Sequence, residues 1–268
     1  MVEIFDNIRK IYRFTAPREE LSDKIEFFSE SCAEATQLHT RGDPFTVKMF
    51  SSWTPTIWIN LGPSYELAVN KKRFAVPPGK SILLLRDAIV ERINQPFDHI
   101  FTIKFHPGGL ESVLNIQQPK LSGKLVDALE VLPVELIGKV RTACCTEERI
   151  KLVEAFFLDK VRPKKRVDNY FELVKSSIAT YESGKLKFNV DELAARMFLS
   201  SKTINRYFKR VIGTTPKHYL SLLRAREALT FYVADRQNFD PTLFGYYDKS
   251  HFYKEIGKFT GAGLKKGF

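Results

Sequence analysis

Residues 199–216, LSSKTINRYFKRVIGTTP, set basic and amide side chains against apolar ones at helical spacing. The apolar positions recur at i, i+3, i+4, i+7 and i+8, which is one face of an α-helix: Ile204, Tyr207, Phe208, Val211 and Ile212. The opposite face carries Lys202, Asn205, Arg206, Lys209 and Arg210. Either this is an ordinary solvent-exposed helix face, or it is a surface that binds an anionic partner with a regular pattern of charges.

The positive charge of the chain is concentrated in its C-terminal part. The 268 residues carry a formal net charge of +11, of which residues 164–268 contribute +10 and residues 1–163 contribute +1. This asymmetry indicates a polyanionic partner for the C-terminal part, most often a nucleic acid. A basic domain without an anionic partner would have the same composition, so charge alone does not decide.

Cysteine use and hydropathy narrow the class of protein. The three cysteines, Cys32, Cys144 and Cys145, show no C-x-x-C spacing, which favours a reduced, cytosolic protein without a structural metal. No stretch approaches the ~20 apolar residues of a membrane span. The N-terminus also lacks the apolar run of a signal peptide, so the sequence predicts a cytoplasmic location.

Helix-start signals divide the basic region into short helices. Asn189 followed by Glu192 predicts a capping box, Ser200 an N-cap, and Thr215 an N-cap with Pro216 in the first turn. A short helix, a turn and a second amphipathic helix make a helix-turn-helix. The second helix of such a unit fits the ~12 Å major groove of DNA.

The side chains on the outer face of that second helix suit base recognition. Arg206 can bind guanine O6 and N7 with two hydrogen bonds, and Asn205 can bind adenine N6 and N7. Lys202 suits guanine or a phosphate, while Lys209 and Arg210 suit phosphates. Each residue alone is better explained as solvated surface. The whole pattern beside a scaffold helix in a basic region favours groove reading.

The same pattern recurs 48 residues later. The corresponding pairs are Gly213 and Gly261, Ile204 and Phe252, Phe208 and Ile256, and Arg206 and Lys254. Asp248 can cap this second helix. The helix between the two units, residues 216–233, has a predicted buried seam of Leu222, Ala225, Leu229 and Tyr232. The sequence therefore predicts two helix-turn-helix units joined by one helix.

The phrases VDELAARMFLS, INRYFKRVIGTTPKHYLSLLRAREAL and GYYDKSHFYKEIGKFTG resemble the DNA-binding domain of AraC/XylS-type bacterial transcription regulators. The resemblance covers about the last hundred residues. It implies two helix-turn-helix units that read adjacent major-groove segments. By position, it carries base reading to Lys202, Asn205 and Arg206 in the first unit and to Ser250, His251 and Lys254 in the second. The full set of predicted DNA contacts also includes Ser201, Lys209, Arg210 and Lys249.

The chain departs from this family pattern at several positions. Phe198 stands where the family has glycine in the first turn, and a positive φ there would strain a phenylalanine. Asp240 and Pro241 replace an Ile-Ala pair of the second scaffold helix, so no more than about one turn, Pro241 to Phe244, can be helical. Gly257 and Leu264 replace a lysine and a proline. We therefore expect the first unit to carry the specificity.

The N-terminal part reads as short strands. Five β-branched or aromatic runs, PFTVKMF, PTIWINL, RFAV, SILLLR and HIFTIKF, are separated by Pro- and Gly-containing turns such as VPPGK and FHPGG. Helices follow, including one predicted to begin with Thr146 as its N-cap. PTIWINLG, VPPGK and FTIKFHPGGLESVL resemble the sensor domain of some of these regulators, which implies a cupin-like or barrel-like effector or dimerisation domain.

Other candidate sites have simpler explanations. His39, His99 and His106 lie in or near the β-rich region, but without an H-x-H pair they make a metal site improbable. Cys144 and Cys145 could be a redox pair or methyl acceptor, but are expected as small buried residues in a helix. The aromatic residues Trp53, Trp58 and Tyr65 could line an effector pocket or pack in the core. The Pro107–Gly109 segment is expected to be a turn rather than a phosphate loop.

The sequence thus predicts an α+β protein of two domains. Residues 1–161 form a β-rich barrel or sandwich with following helices, and residues 162–268 an all-α domain with two helix-turn-helix units, separated at the RPKKR stretch. The predicted function is a sequence-specific transcription regulator controlled by a small molecule. A non-specific nucleic-acid-binding module and a cupin-like metal enzyme are the alternatives. Expected partners are promoter DNA, an effector, RNA polymerase and a second copy of the chain, with no cofactor or membrane.

Overall fold

The computed structural model describes residues 11–70, 72–161 and 169–261. We refer to residues 11–161 as the β-rich half and to residues 169–261 as the helical half. The predicted α+β architecture is confirmed. The RPKKR stretch and Leu264 lie outside the described residues, and so do residues 1–10 of the N-terminal segment that lacks the apolar run of a signal peptide. In the part of the chain that is described, no helix is long and apolar enough to cross a membrane.

The described residues of the β-rich half form two antiparallel sheets. Their strands are β1 (Tyr12–Thr15), β2 (Ile25–Ser31), β3 (Phe45–Met49), β4 (Pro55–Asn60), β5 (Tyr65–Val69), β6 (Lys72–Val76), β7 (Ser81–Leu85), β8 (Val90–Asn94), β9 (Ile100–Phe105) and β10 (Leu125–Asp127). One sheet has the order β1-β2-β9-β4-β7-β10 and the other the order β3-β8-β5-β6. All five runs predicted as strands are strands, at β3, β4, β6, β7 and β9. Strands β1, β2, β5, β8 and β10 are not predicted from the sequence, because charged residues interrupt their apolar pattern.

The larger sheet is buried on both faces. On β4, the side chains of Ile57 and Ile59 face a core shared with helices, whereas Trp58 faces the smaller sheet. This alternation is the two-residue period of a strand between two apolar layers. The turn Pro107–Gly109 after β9 is also as predicted. Glycine is required there because a Cβ on Gly109 would lie 2.0 Å from the Lys24 carbonyl oxygen.

Four α-helices accompany the sheets among the described residues. They are α1 (Ala33–Thr40), α2 (Gly109–Leu114), α3 (Val134–Thr142) and α4 (Thr146–Lys160). Short 3₁₀ turns occur at Glu19–Leu21, Gln118–Leu121 and Ala128–Glu130. Helix α4 buries Val153 and Phe157 against the larger sheet.

Two predictions around the start of α4 are wrong. The N-cap is Cys145 rather than Thr146, which is the first helical residue. The two cysteines were expected to be buried in a helix, but Cys144 is exposed and Cys145 partly exposed, both before the helix begins. The carboxylate of Glu148, in the first turn, accepts the backbone N–H of Cys144 at 2.7 Å. This contact with a residue before the helix was not indicated by the sequence pattern.

The helical half contains five α-helices among its described residues. They are α5 (Asn169–Ser183), α6 (Val190–Arg196), α7 (Ser201–Val211), α8 (Pro216–Ala234) and α9 (Lys249–Thr260). The predicted caps are present: Asn189 and Glu192 form a capping box, and the side chains of Ser200, Thr215 and Asp248 accept backbone N–H groups of the first turns. Leu222, Ala225, Leu229 and Tyr232 are buried as predicted.

The second scaffold helix is reduced as Asp240 and Pro241 predict. Only a 3₁₀ turn remains, Pro241–Phe244, capped by the Asp240 side chain. An aromatic cluster takes the place of the missing helical contacts. Phe239 lies 4.6 Å from Phe252 and stacks on Phe244 at 5.7 Å, measured between ring centroids. The predicted recognition helix of this unit, α9, is nevertheless complete.

Phe198 lies in the turn between α6 and α7 with φ +54°, and its side chain is 96% exposed. A residue with a Cβ is strained in this conformation, and the exposed ring makes little compensating contact.

We therefore predict that Phe198→Gly raises the free energy of unfolding by about 0.5–1 kcal/mol, as measured by denaturant titration. Phe198→Ala is the matched control, because alanine keeps the Cβ and should bring no such gain. Equal stability of the two variants would show that the left-handed turn is not strained.

Candidate nucleic-acid interface

Helix α7 separates its apolar and basic faces as its sequence predicts. Ile204 and Phe208 are fully buried, while Lys202, Arg206 and Lys209 are exposed. The exposed face stays fixed in direction because α7 packs on α5 and on α6.

Individual side chains of α7 have neighbours within the helical half. The Arg206 guanidinium carbon lies 5.2 Å from the centre of the Tyr207 ring, and Tyr207 makes an edge contact with Tyr170. The Ser201 hydroxyl donates to the carboxylate of Asp191 on α6. These contacts hold the start and middle of the basic face in place.

Helix α9 repeats this arrangement. Phe252 and Ile256 are fully buried, and the predicted contact residues Lys249, Ser250, His251 and Lys254 are exposed. The predicted correspondence of Gly213 and Gly261 is confirmed in backbone geometry, because both adopt a positive φ after their helices, +98° and +65°. The internal repeat is therefore a structural one.

Helix α8 connects the two units and holds α9 by an ion pair. The guanidinium of Arg224 lies 2.8 Å from one Glu255 carboxylate oxygen and 3.0 Å from the other. The Tyr246 hydroxyl donates to the same carboxylate at 3.0 Å. Glu255 directly follows the exposed contact candidate Lys254 in α9, so this pair fixes the rotation of the helix about its axis.

Arg210 is the exception among the contact candidates, because it points toward the β-rich half. Its two terminal nitrogens donate to the two carboxylate oxygens of Glu111 on α2, at 3.0 and 2.7 Å. No sequence signal indicated this contact, because the two residues are far apart in the chain and Glu111 lies in an ordinary first helical turn.

A cavity of about 920 Å³ lies between the two halves. Its wall is largely apolar, and it is lined from the β-rich half by residues around β2 and the turn after β9, and from the helical half by α5 and α8. Charged residues at its edge include Asp23 and Glu26 from the first, and Lys175 and Arg226 from the second. The Lys175–Asp23 and Arg226–Glu26 pairs are long, at 3.8 and 4.0 Å. No effector-binding residue is predicted from the sequence.

The other candidates have structural roles. Trp58 and Tyr65 are core residues, and their ring centres lie 5.0 and 5.8 Å from the guanidinium carbon of the buried Arg92. The His99 ring lies 2.8 Å from the Glu30 carboxylate. Burial lowers the pKa of His106, against the opposing charge of Glu26. Among the described residues no group of three His, Cys, Asp or Glu side chains could hold a metal ion.

Residues 193–265 match a protein family described as a helix-turn-helix domain. Comparison with curated proteins gave no match.

Several solved structures are similar at low identity. The apo form of a ToxT variant from Vibrio cholerae strain SCE256 is 11% identical with a TM-score of 0.48, covering 84% of this chain and 92% of that one. Another ToxT structure from Vibrio cholerae is 9% identical with a TM-score of 0.47, over 96% and 97% of the two chains. The AraC-like transcriptional activator CuxR is 13% identical with a TM-score of 0.34, over 84% and 88%.

The matched residues span the end of α6, all of α7, α8 and α9, and the 3₁₀ turn of the second unit. This part of the chain matches a helix-turn-helix domain, and it contains the two units that the phrases of this region predict. The β-rich half precedes it, as in the predicted architecture.

The pKa of the Glu26 carboxyl at the cavity edge depends on charges from both halves. Burial alone raises its pKa, but the charges of Lys104, Arg226 and His106 outweigh burial and lower the pKa from 4.5 to about 2. Lys104 is buried and lies 3.1 Å from Glu26, so the carboxylate also neutralises a buried cation.

Because the folded pKa is the lower one, this stabilisation is complete above about pH 4.5 and is lost as pH falls toward 2. We predict that Glu26→Gln lowers the free energy of unfolding by roughly 2–3 kcal/mol at pH 7 and by clearly less at pH 3. Denaturant titrations at both pH values check this. The control is Glu135→Gln at an exposed position of α3. The same loss at both pH values would contradict the assigned charge effect.

Proposed function

We propose that this chain is a sequence-specific regulator of transcription whose base preference comes mainly from α7. The observation that carries the proposal is the exposed basic and amide face of α7, held by a buried apolar face inside a helix-turn-helix domain. Lys202, Asn205 and Arg206 are the proposed base-contacting residues. Ser201 and Lys209 flank them and suit phosphate contacts.

The second unit has a complete recognition helix on a shortened scaffold. We propose that Lys249, Ser250, His251 and Lys254 contact the next major-groove segment, with more phosphate contact than base reading. The missing helical turns before α9 support this weaker role, because a recognition helix reads bases only as well as its scaffold orients it.

The β-rich half is the proposed effector domain. In this proposal the chain divides into the two domains 1–161 and 162–268, supported by apolar cores that each lie mainly in one half, with Phe50 of the β-rich half joining the core of the helical half. The cavity between the halves is the proposed site for a small amphipathic molecule, because apolar walls and charged edges occur together there. A ligand bound there would touch both domains, so it could favour one arrangement of them over another.

The remaining parts of the proposal follow from the family resemblance. They are action on promoter DNA in the bacterial cytoplasm, contact with RNA polymerase and pairing with a second copy of the chain. The helix-turn-helix match favours a regulator over a metal enzyme. A non-specific nucleic-acid-binding module is the alternative that the following experiment separates.

Selection from random duplex DNA with the purified chain, at near-physiological salt, should enrich a motif. We predict that Arg206→Ala loses the preference at one base position, a cost of roughly 1–3 kcal/mol for the cognate base. The matched control is Arg73→Ala on β6, which removes an exposed arginine from the β-rich half. Salt-sensitive binding without a motif, or an unchanged motif in Arg206→Ala, would refute sequence reading by α7.

The cavity can be tested with 8-anilinonaphthalene-1-sulfonate, whose fluorescence rises in an apolar site. We predict saturable binding to the wild-type chain and a loss of at least about tenfold in affinity for Leu223→Trp, which fills space at the α8 wall. Leu38→Trp, at an exposed position of α1, is the control. Equal binding by all three proteins would show that the probe does not enter this cavity.

A further inference from the structure

The contact between Arg210 and Glu111 occupies a side chain that the sequence pattern predicts to contact a DNA phosphate. A carboxylate and a phosphate both accept two parallel hydrogen bonds from a guanidinium. Glu111 is only 15% exposed and Arg210 36%, so the pair is partly shielded from solvent. With both terminal nitrogens on Glu111, Arg210 cannot make the same two-bond contact with a DNA phosphate.

A buried amide fixes the end of α7 beside this pair. Gln118 is fully buried, and its side-chain nitrogen donates to the Ile212 carbonyl at 2.8 Å and to the Trp53 carbonyl at 2.6 Å. Its side-chain oxygen accepts the Gly108 backbone N–H at 3.0 Å. One side chain therefore joins the last turn of the recognition helix to two segments of the β-rich half.

Helix α9 ends against the same half. Phe259 stacks on Phe50 with 5.9 Å between the ring centroids, and it also lies 5.6 Å from the His218 ring. A Cβ placed on Gly261 would approach the Ile89 side chain to 2.8 Å. The β-rich half thus contacts the C-terminal ends of both recognition helices.

One group in this contact is left unsatisfied. The indole N–H of Trp53 is buried without a hydrogen-bond partner among the described residues. Such a donor costs free energy that exposure to water would restore. The interface therefore contains, beside the ion pair that holds it, a buried donor without a hydrogen-bond partner among the described residues.

We infer that Glu111 is an internal competitor of DNA: its carboxylate holds Arg210 in the place of a backbone phosphate, so the β-rich half lowers DNA affinity until this contact opens. The inference rests on the proposed function, which assigns α7 to the major groove. In addition, it assigns to Glu111, a residue of the β-rich half, an effect on the affinity of the helical half for DNA.

The test measures DNA affinity of the full chain as a function of salt. Glu111→Gln should bind the selected duplex about three- to tenfold more tightly than wild type, as expected when an opposing equilibrium of this size is removed. The plot of log K against log salt should steepen by about 0.9, the value for one added phosphate contact. Glu111→Asp, which keeps the charge but shortens the reach, should show a smaller gain and serves if Glu111→Gln does not fold.

Two controls separate competition from a general change of charge. Glu135→Gln alters net charge equally at an exposed position of α3 and should leave affinity and slope close to wild type. In an Arg210→Ala background, Glu111→Gln should not change DNA affinity, because Glu111 then holds no arginine that could be released to DNA.

Equal or weaker binding by Glu111→Gln, with wild type still selecting a motif, would overturn this inference and leave the proposed function standing. Absence of a motif in wild type would instead overturn the proposed function. A tighter but non-selective Glu111→Gln would then still support competition for a phosphate contact.

Discussion

The packing of helix α8 against both helix-turn-helix units governs the geometry of the helical half. Helix α8 has 19 residues and spans about 28 Å, which is near the ~34 Å of one turn of the DNA duplex. Leu222, Ala225 and Leu229 are fully buried along it, so neither unit can rotate without breaking a continuous core. The ion pair between Arg224 and Glu255 then fixes α9 on this helix. The spacing and rotation of the two exposed faces are consequences of this one seam.

The two units depend on the same seam but differ in how they are supported. The first has a complete scaffold helix with a capping box, and its weak point is the left-handed Phe198. The second replaces its scaffold helix by a 3₁₀ turn and aromatic stacking around Phe239. Aromatic rings bury a large area with few backbone hydrogen bonds, so they can hold α9 in place while the backbone before it follows proline geometry.

The local features of the helical half could be predicted from the sequence because they depend on neighbours in the chain. Caps at Asn189, Ser200, Thr215 and Asp248 are signals within one turn, and all are present. Gly184 directly follows α5, where glycine usually takes a positive φ, but Lys185 and Leu186 have the positive φ values instead. Glycine is required at 184 because a Cβ would lie 2.1 Å from the Phe188 ring, a packing constraint that no local pattern expresses.

What could not be predicted lies between distant parts of the chain. Strands β2 and β8 carry charged residues that find partners only in the folded sheets, so their patterns are not those of simple half-buried strands. The cavity is lined by residues from Ser22 to Phe244, and Arg210 lies 99 positions from its partner Glu111. Helical periodicity places Arg210 on the outer face of α7, and only the position of the β-rich half turns that exposed residue into an interfacial one.

The placement of the two tryptophans gives the molecule a built-in optical reporter. Trp58 is enclosed in the β-rich core under a guanidinium, whereas Trp53 lies with its ring edge against His218 of the helical half, 5.8 Å away. A movement of the two halves would leave the surroundings of Trp58 unchanged and bring water to Trp53. Since the chain has no other tryptophan, a red shift of its intrinsic emission would follow the separation of the two halves without any attached label.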